Sequence, residues 1–207
     1  MPKVSADYKA KRRQEVIESA LLCFAEKGFE SSTMDDIVER SGTSKGLVYN
    51  YFKSKEELYT SLMEERSSKM FFTFREKFQQ LHTATEKLKE IFSYYQEALK
   101  KEGYQDYLKV HFEWIIYASR NVKLKQKMVD RFEKEVCAFV EEIINEGIAN
   151  GEFNPNLATG SVAAIFWAKV DGISLAYALT GNQDQYRDSL IESEKMLMKY
   201  LTTQLNK

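Results

Sequence analysis

Little in this chain breaks a helix. Only two prolines, Pro2 and Pro155, occur in 207 residues, and the nine glycines fall mostly between apolar-periodic segments. Proline removes a backbone donor and clashes with the preceding turn, so its scarcity permits a succession of helices from about residue 9 onward. Cysteine is as sparse: Cys23 and Cys137 each lie on the apolar stripe of an expected helix, where a thiol packs as a small hydrophobe. With no signal peptide, CxxC spacing or dense cysteine framework, the expected location is a reducing cytoplasm. Histidine offers no metal chemistry, because His82 and His111 are twenty-nine residues apart without a nearby cysteine or clustered acid. No GxSxG, HExxH, phosphate-binding loop or dinucleotide glycine pattern occurs, so neither an enzyme nor a cofactor is expected. The most apolar stretch, Leu157 to Gly181, holds Lys169 and Asp171 in its middle, which argues against a membrane partner.

What the chain has is apolar and aromatic surface, with 43% hydrophobic and 13% aromatic residues, enough for one large or two small domains with a substantial core. The net charge of −1 conceals an uneven distribution. Residues 1–55 hold ten Lys/Arg against eight Asp/Glu, and residues 56–207 hold twenty against twenty-three. Lys3, Lys9, Lys11, Arg12 and Arg13 against Asp7 make the first thirteen residues a basic arm suited to a polyanion.

From Lys11 to Lys27, Val16, Ile17, Ala20, Leu21, Phe24 and Ala25 recur at 3–4 spacing, the signature of one amphipathic helix. Gly28 is placed to stop it and Phe29 to fold back onto the stripe. Thr33 then precedes Asp35 and Asp36, acids that favour a helix N-terminus, and a short second helix is expected to end near Arg40. Ser41, Gly42 and Thr43 make a tight turn, and Ser44 caps a third helix starting at Lys45. Two short helices joined in this way form a helix-turn-helix. Leu47, Val48 and Phe52 can pack inward, leaving Ser44, Lys45, Gly46, Tyr49, Asn50 and Tyr51 nearer the outside. A helix in the major groove would present small N-terminal residues to base edges and hold phosphates with Tyr and Lys, and Gly46 would let its backbone come close. Ser54 and Glu57 read as a capping box that places Lys55 beside free backbone N–H groups, a second phosphate site.

Taken together, Phe24, Gly28, Phe29, Thr33, Ile37, Ser41, Gly42, Ser44, Gly46, Val48, Tyr49, Tyr51, Phe52, Lys55 and Leu58 resemble the amino-terminal signature of the TetR/AcrR family of repressors. Val38 stands where small Ala is common, and Thr43 replaces a frequent Val. The resemblance covers about fifty residues, Arg12 to Leu62, and implies DNA binding through the third helix with Thr33, Tyr49 and Lys55 on phosphates. The candidate DNA-contacting set is Thr33, Thr43, Ser44, Lys45, Gly46, Leu47, Tyr49, Asn50, Tyr51 and Lys55.

Beyond Leu58, apolar periodicity continues as one long helix, followed by segments at about 84–101, 104–119 and 122–150, with GEFNPN as a turn at Pro155. A helical shell rich in aromatic rings with a few polar atoms suits a cavity for a small apolar effector. Candidates for its lining are Phe74, Phe78, Phe92, Tyr95, His111, Trp114, Phe132, Trp167 and Asp171. The helix at about 157–180 is apolar on every side, so one face needs another chain, and the last helix, about 184–205, can supply the second element. Two such hairpins would form a four-helix bundle about a two-fold axis, the arrangement the resemblance also implies, with Ile165, Phe166, Ile173, Tyr177, Leu190 and Leu197 as interface candidates.

The expected architecture is therefore all-α. Residues 1–54 form a three-helix DNA-binding domain and residues 55–207 a helical domain for effector binding and dimerisation. The expected function is that of a ligand-responsive repressor, a homodimer on a palindromic double-stranded operator, released by a small, largely apolar effector. A DNA-binding protein of the same fold that answers a protein partner, or organises DNA without an effector, is the second reading.

Overall fold

The computed structural model describes residues 6–203, and their regular elements are all helices. Residues 1–5 of the expected basic arm lie outside the described residues. The chain divides into two compact units, one comprising Met1–Phe72 with Lys109–Trp114, the other Thr73–Leu108 with Ile115–Lys207. The boundary expected after Ser54 falls inside the first unit.

In the first unit, α1 spans Ala6–Lys27, starting five residues before the expected Lys11 because nothing between them breaks a helix. Val16, Ile17, Ala20 and Phe24 are fully or almost fully buried. Gly28 ends α1 at φ +78°, a left-handed conformation that L side chains rarely adopt, and donates to Phe24 O at 2.9 Å. Phe29 then turns back against Phe24, with ring centroids 5.2 Å apart. Helix α2 (Met34–Ser41) starts with a reciprocal cap: the Thr33 hydroxyl accepts from Asp36 N at 3.1 Å and Asp36 Oδ2 accepts from Thr33 N at 2.8 Å. Gly42 at φ +60° closes it, and Ser44 caps α3 (Lys45–Tyr51), as the sequence predicts.

Helix α4 (Lys55–Phe78) follows. Ser54 Oγ accepts from Glu57 N at 3.2 Å, but the Glu57 carboxylate takes Lys53 N at 2.6 Å rather than the N–H of Ser54, so the expected capping box is displaced outward by one residue. The first unit is completed by Lys109–Trp114, the middle of α6 (Tyr104–Ser119). Here Tyr59 donates to Val110 O at 2.7 Å, and the Tyr59 and Trp114 rings stack with centroids 4.1 Å apart.

The second unit holds the end of α4, α5 (Ala84–Ala98), the two ends of α6, α7 (Val122–Arg131), α8 (Ala138–Ala149), α9 (Thr159–Thr180) and α10 (Gln183–Thr202). The segment predicted as one helix over 122–150 is interrupted by a wider π-helical stretch, Phe132–Cys137. Trp167 Nε1 on α9 donates to Val136 O at 2.8 Å, which satisfies a carbonyl within this stretch. The turn around Pro155 fastens other elements. Glu152 accepts from Ala84 N at 2.9 Å and Thr85 N at 3.0 Å, capping α5, while Asn154, which is buried, bonds Leu201 O and Thr203 O at the end of α10.

Helix α9 is long and apolar enough to cross a membrane by length and composition. Its buried residues Val162, Phe166, Trp167 and Val170 nevertheless pack in the core of the second unit, against α8 and α10. Helix α8 passes so close to the Pro155 turn that a Cβ on Gly147 would lie inside contact distance of the Phe153 ring and 3.0 Å from Ala84 Cβ. Gly147→Ala is expected to cost about 1–3 kcal/mol by overpacking. Urea denaturation monitored by circular dichroism measures this, and a change within a few tenths would contradict the packing described.

Candidate nucleic-acid interface

The outward side of α3 is built by its two ends. Val48 and Phe52 are buried in the core of the first unit, so Ser44, Lys45, Gly46 and Asn50 are exposed, with Tyr49 and Tyr51 half-buried beside them. Lys45 Nζ lies 2.7 Å from Asp35 at the start of α2 and 5.9 Å from the Tyr49 ring centroid. Both partners of that ion pair are exposed, where such pairs contribute little, so Lys45 can exchange Asp35 for another anion at small cost. Around Gly46 a Cβ would meet nothing within 4 Å. No packing inside the protein requires glycine there, although glycine weakens a helix.

The remaining candidates from the sequence are placed differently. Thr43 is buried, and its hydroxyl donates to Ser41 O at 3.3 Å, so it holds the turn instead of facing outward. Leu47 is half-buried. Thr33 is exposed, with its hydroxyl occupied by the α2 cap. Asp36 in the same cap is lowered to about 2 by the hydrogen bond from Lys27, followed by those from Thr33. The largest departure concerns Lys55, whose ammonium donates to Phe29 O at 2.8 Å, Glu30 O at 2.8 Å and Ser32 O at 3.2 Å. It also lies 4.7 Å from the Phe29 ring centroid. Lys55 thus clamps the carbonyls of the α1–α2 turn. In the basic arm, Arg13 pairs with Glu65 of α4 and covers the Phe52 ring.

The aromatic candidates are divided between the two units. Trp114 is buried in the first unit against Tyr59 and Phe29, and His111, also in that unit, has its ring 5.2 Å from Phe112. Phe132 begins the π-helical stretch and is exposed. Phe74 and Phe78 stack on Phe139, and from Phe74 the ring contacts continue through Tyr94 to Tyr95, Trp167, Phe166 and Phe92. Asp171 is pushed up to about 6 by burial, and its field raises Tyr95 further after burial has done so. A cavity of about 500 Å³ among α5, α9 and α10 shares only Phe92 with the expected lining.

The interface set also needs correction. Phe166, Tyr177, Leu190 and Leu197 are buried within the chain's own core, and Ile173 is half-buried. Of the six candidates, only Ile165 is exposed. The outward apolar residues of these helices are Ile165, Leu175, Leu179, Met196 and Tyr200. Sequence reasoning also passed over Glu113, whose Oε1 accepts from Phe29 N at 2.8 Å, because nothing in its local pattern points eighty-four residues back.

A helix-turn-helix whose second helix bears exposed polar and cationic residues defines a class, the DNA-binding transcriptional regulators. Residues 16–62 match the profile described as bacterial regulatory proteins, tetR family, and residues 87–187 match a tetracyclin repressor-like C-terminal domain. The chain is 34% identical over 206 residues to YfiR of Bacillus subtilis, an uncharacterized HTH-type transcriptional regulator, covering 96% of this chain and 95% of that one. It is 27% identical over 152 residues to the HTH-type transcriptional repressor KstR2 of Mycolicibacterium smegmatis, covering 72% and 70%. Among solved structures, the fold is similar to the transcriptional regulator FadR from Bacillus subtilis in complex with stearoyl-CoA, with a TM-score of 0.76, 21% identity and coverage of 91% and 98%. The chain belongs to the TetR family and is a DNA-binding transcriptional regulator.

Lys55→Met, which keeps the aliphatic stem and removes the ammonium, is expected to cost about 1–3 kcal/mol, because three carbonyls lose a charged donor. It should leave the salt dependence of DNA binding unchanged. Unaltered stability together with a salt slope reduced by about one unit in gel-shift titrations would return Lys55 to a phosphate.

Proposed function

We propose that the chain is a cytoplasmic homodimeric repressor that reads a palindromic operator with α3 and releases it when a small, largely apolar effector enters the second unit. The observation that carries the DNA-reading part is the open space around Gly46 on the exposed side of α3. A glycine that the fold does not need is accounted for by a surface that comes close to the helix, such as a duplex backbone or base edge. On this reading Lys45 and Asn50 beside it read bases, and Tyr49, Thr33 and the α4 N-terminus hold phosphates.

Dimerisation is supported by the apolar outward side of α9 and α10, where Leu179 is 85% exposed and Leu175 51%. Gly172, on the same side, has nothing within 4 Å of a Cβ, which gives a second helix room to approach. Two heads held at a fixed separation read half-sites about one helical turn, or a multiple of it, apart.

Release by an effector is supported by the aromatic content of the second unit and by the stearoyl-CoA bound in a structural neighbour, which favours an effector over a protein partner. Helices α4 and α6 each have residues in both units, and α6 is tied to the α1–α2 turn by Glu113 and Trp114 and to α4 by Val110. A hundredfold loss of operator occupancy requires a coupling of about 2.7 kcal/mol between the two ligands, an ordinary allosteric magnitude.

Two measurements test this reading on a duplex recovered by selection with purified protein. Gly46→Ala is expected to stabilise the chain by about 0.5–1 kcal/mol while weakening operator binding roughly tenfold, opposite signs that only an external contact produces. Equal operator affinity would remove α3 from the interface. Leu175→Glu with Leu179→Glu is expected to yield monomers in analytical ultracentrifugation, and a persistent dimer would move the interface elsewhere.

A further inference from the structure

The cavity of about 500 Å³ in the second unit has an uneven chemistry. Phe92 of α5, Val162, Ile165 and Phe166 of α9, and Met196 and Leu197 of α10 give it almost wholly apolar walls, and no Asp or Glu lines it. Its polar groups are few. Lys169 and Lys199 line it, and neither has an ion-pair partner among the described residues, although Lys195 on the same helix pairs with Glu192 at 2.7 Å. Ser193 also lines it, 6% exposed, with an Oγ that finds no hydrogen-bond partner among the described residues. Other helical hydroxyls here bond back to the preceding turn, among them Ser19 to Glu15 O and Thr180 to Ala176 O. A buried hydroxyl without a partner is destabilising, so one that lines a cavity marks a place for an acceptor.

Hairpin register places two of these polar groups together. Lys169 is twelve residues before Gly181, at the α9–α10 turn, and Ser193 is twelve after it, so the two stand at one level of the antiparallel pair. From Ser193 to Thr203, α10 extends about 15 Å past the apolar wall. We propose that this groove binds a single-chain carboxylate amphiphile, a free fatty acid, with its carboxylate at Lys169 and Ser193 and its chain against Phe92, Phe166 and Leu197.

Charge complementarity selects the occupant: the lining offers Lys169 and Lys199 and no acid. Ile165, Met196 and Tyr200 border the groove and also belong to the apolar side assigned above to the dimer, so a second copy is the competing occupant. A neutral lipid would leave both lysines uncompensated, and an organic cation would be repelled. The regulatory consequence rests on the repressor reading, but binding itself rests only on the groove.

Isothermal titration of the full-length protein tests the proposal, with dodecanoate, 1-dodecanol and dodecyltrimethylammonium as probes below their micelle-forming concentrations. Dodecanoate should bind once per protomer and at least about tenfold more tightly than the ammonium probe. Lys169→Gln, on a half-buried position, should weaken dodecanoate roughly tenfold without changing dodecanol, Ser193→Ala should weaken it severalfold, and Lys199→Gln less than about threefold. Circular dichroism confirms that each variant is folded. Absence of binding, equal affinity for the two charged probes, or unchanged affinity in Lys169→Gln would overturn the assignment. So would binding that disappears as protein concentration drives dimerisation, since a second copy would then occupy the groove. Dodecanoate that binds as expected but leaves operator occupancy unchanged in a gel shift would uphold the groove and contradict release through it.

Discussion

Phe29 is held at three points at once. Its ring is fully buried between Phe24 of α1, Tyr59 of α4 and Trp114 of α6, with centroids 5.2 to 5.6 Å away. Its N–H goes to Glu113 and its carbonyl to Lys55, each at 2.8 Å. One residue therefore fixes the end of α1, the entry to the helix-turn-helix and the registers of two helices that each have residues in the second unit. Aromatic burial supplies most of the stabilisation, since rings of this size each remove a large area from water. The two polar contacts supply direction, because a charged donor or acceptor lost from a part-buried site costs more than it contributes when paired. Orientation of α3 follows from that knot, through the α2 cap and the Gly42 turn.

In the second unit the corresponding work falls to side chains that reach backbone. Glu152 caps α5, Asn154 ties down the end of α10, and Trp167 satisfies Val136 within the π-helical stretch. These contacts hold a set of helices whose α9 has apolar residues on both its inner and outer sides. The inner side forms the core, the outer side leaves Ile165, Leu175 and Leu179 exposed, and the groove with Lys169 and Ser193 is lined by both α9 and α10. The proposed dimer face and the proposed ligand groove share this hairpin.

Much of this was legible in the sequence. Gly28, Gly42, Thr33 and Ser44 mark helix ends by chemistry that is local, so the helix-turn-helix and its exposed residues Ser44, Lys45, Gly46 and Asn50 could be placed from spacing and from the family pattern. What was not legible depends on distance or on direction. Lys55 carries the pattern of a phosphate contact, and only the fold shows three carbonyls within its reach. Trp114 and Glu113 belong to a helix far along the chain that returns to Phe29, which no local window reveals. Helix α9 has apolar residues all round, so its pattern has no preferred side, and Phe166 and Tyr177 could not be told from Leu175 and Leu179. The π-helical stretch depends on a tryptophan thirty-one residues away.

The account stands on the Phe29 knot as the element that holds the reading helix in place. Hydrogen–deuterium exchange of the Tyr59→Phe/Glu113→Met double variant measures this, since it removes two hydrogen bonds and little volume. The expected result is roughly tenfold or faster exchange in α2 and α3, with α8 to α10 keeping their rates. Unchanged protection in α2 and α3, or a loss spread evenly along the chain, would contradict it.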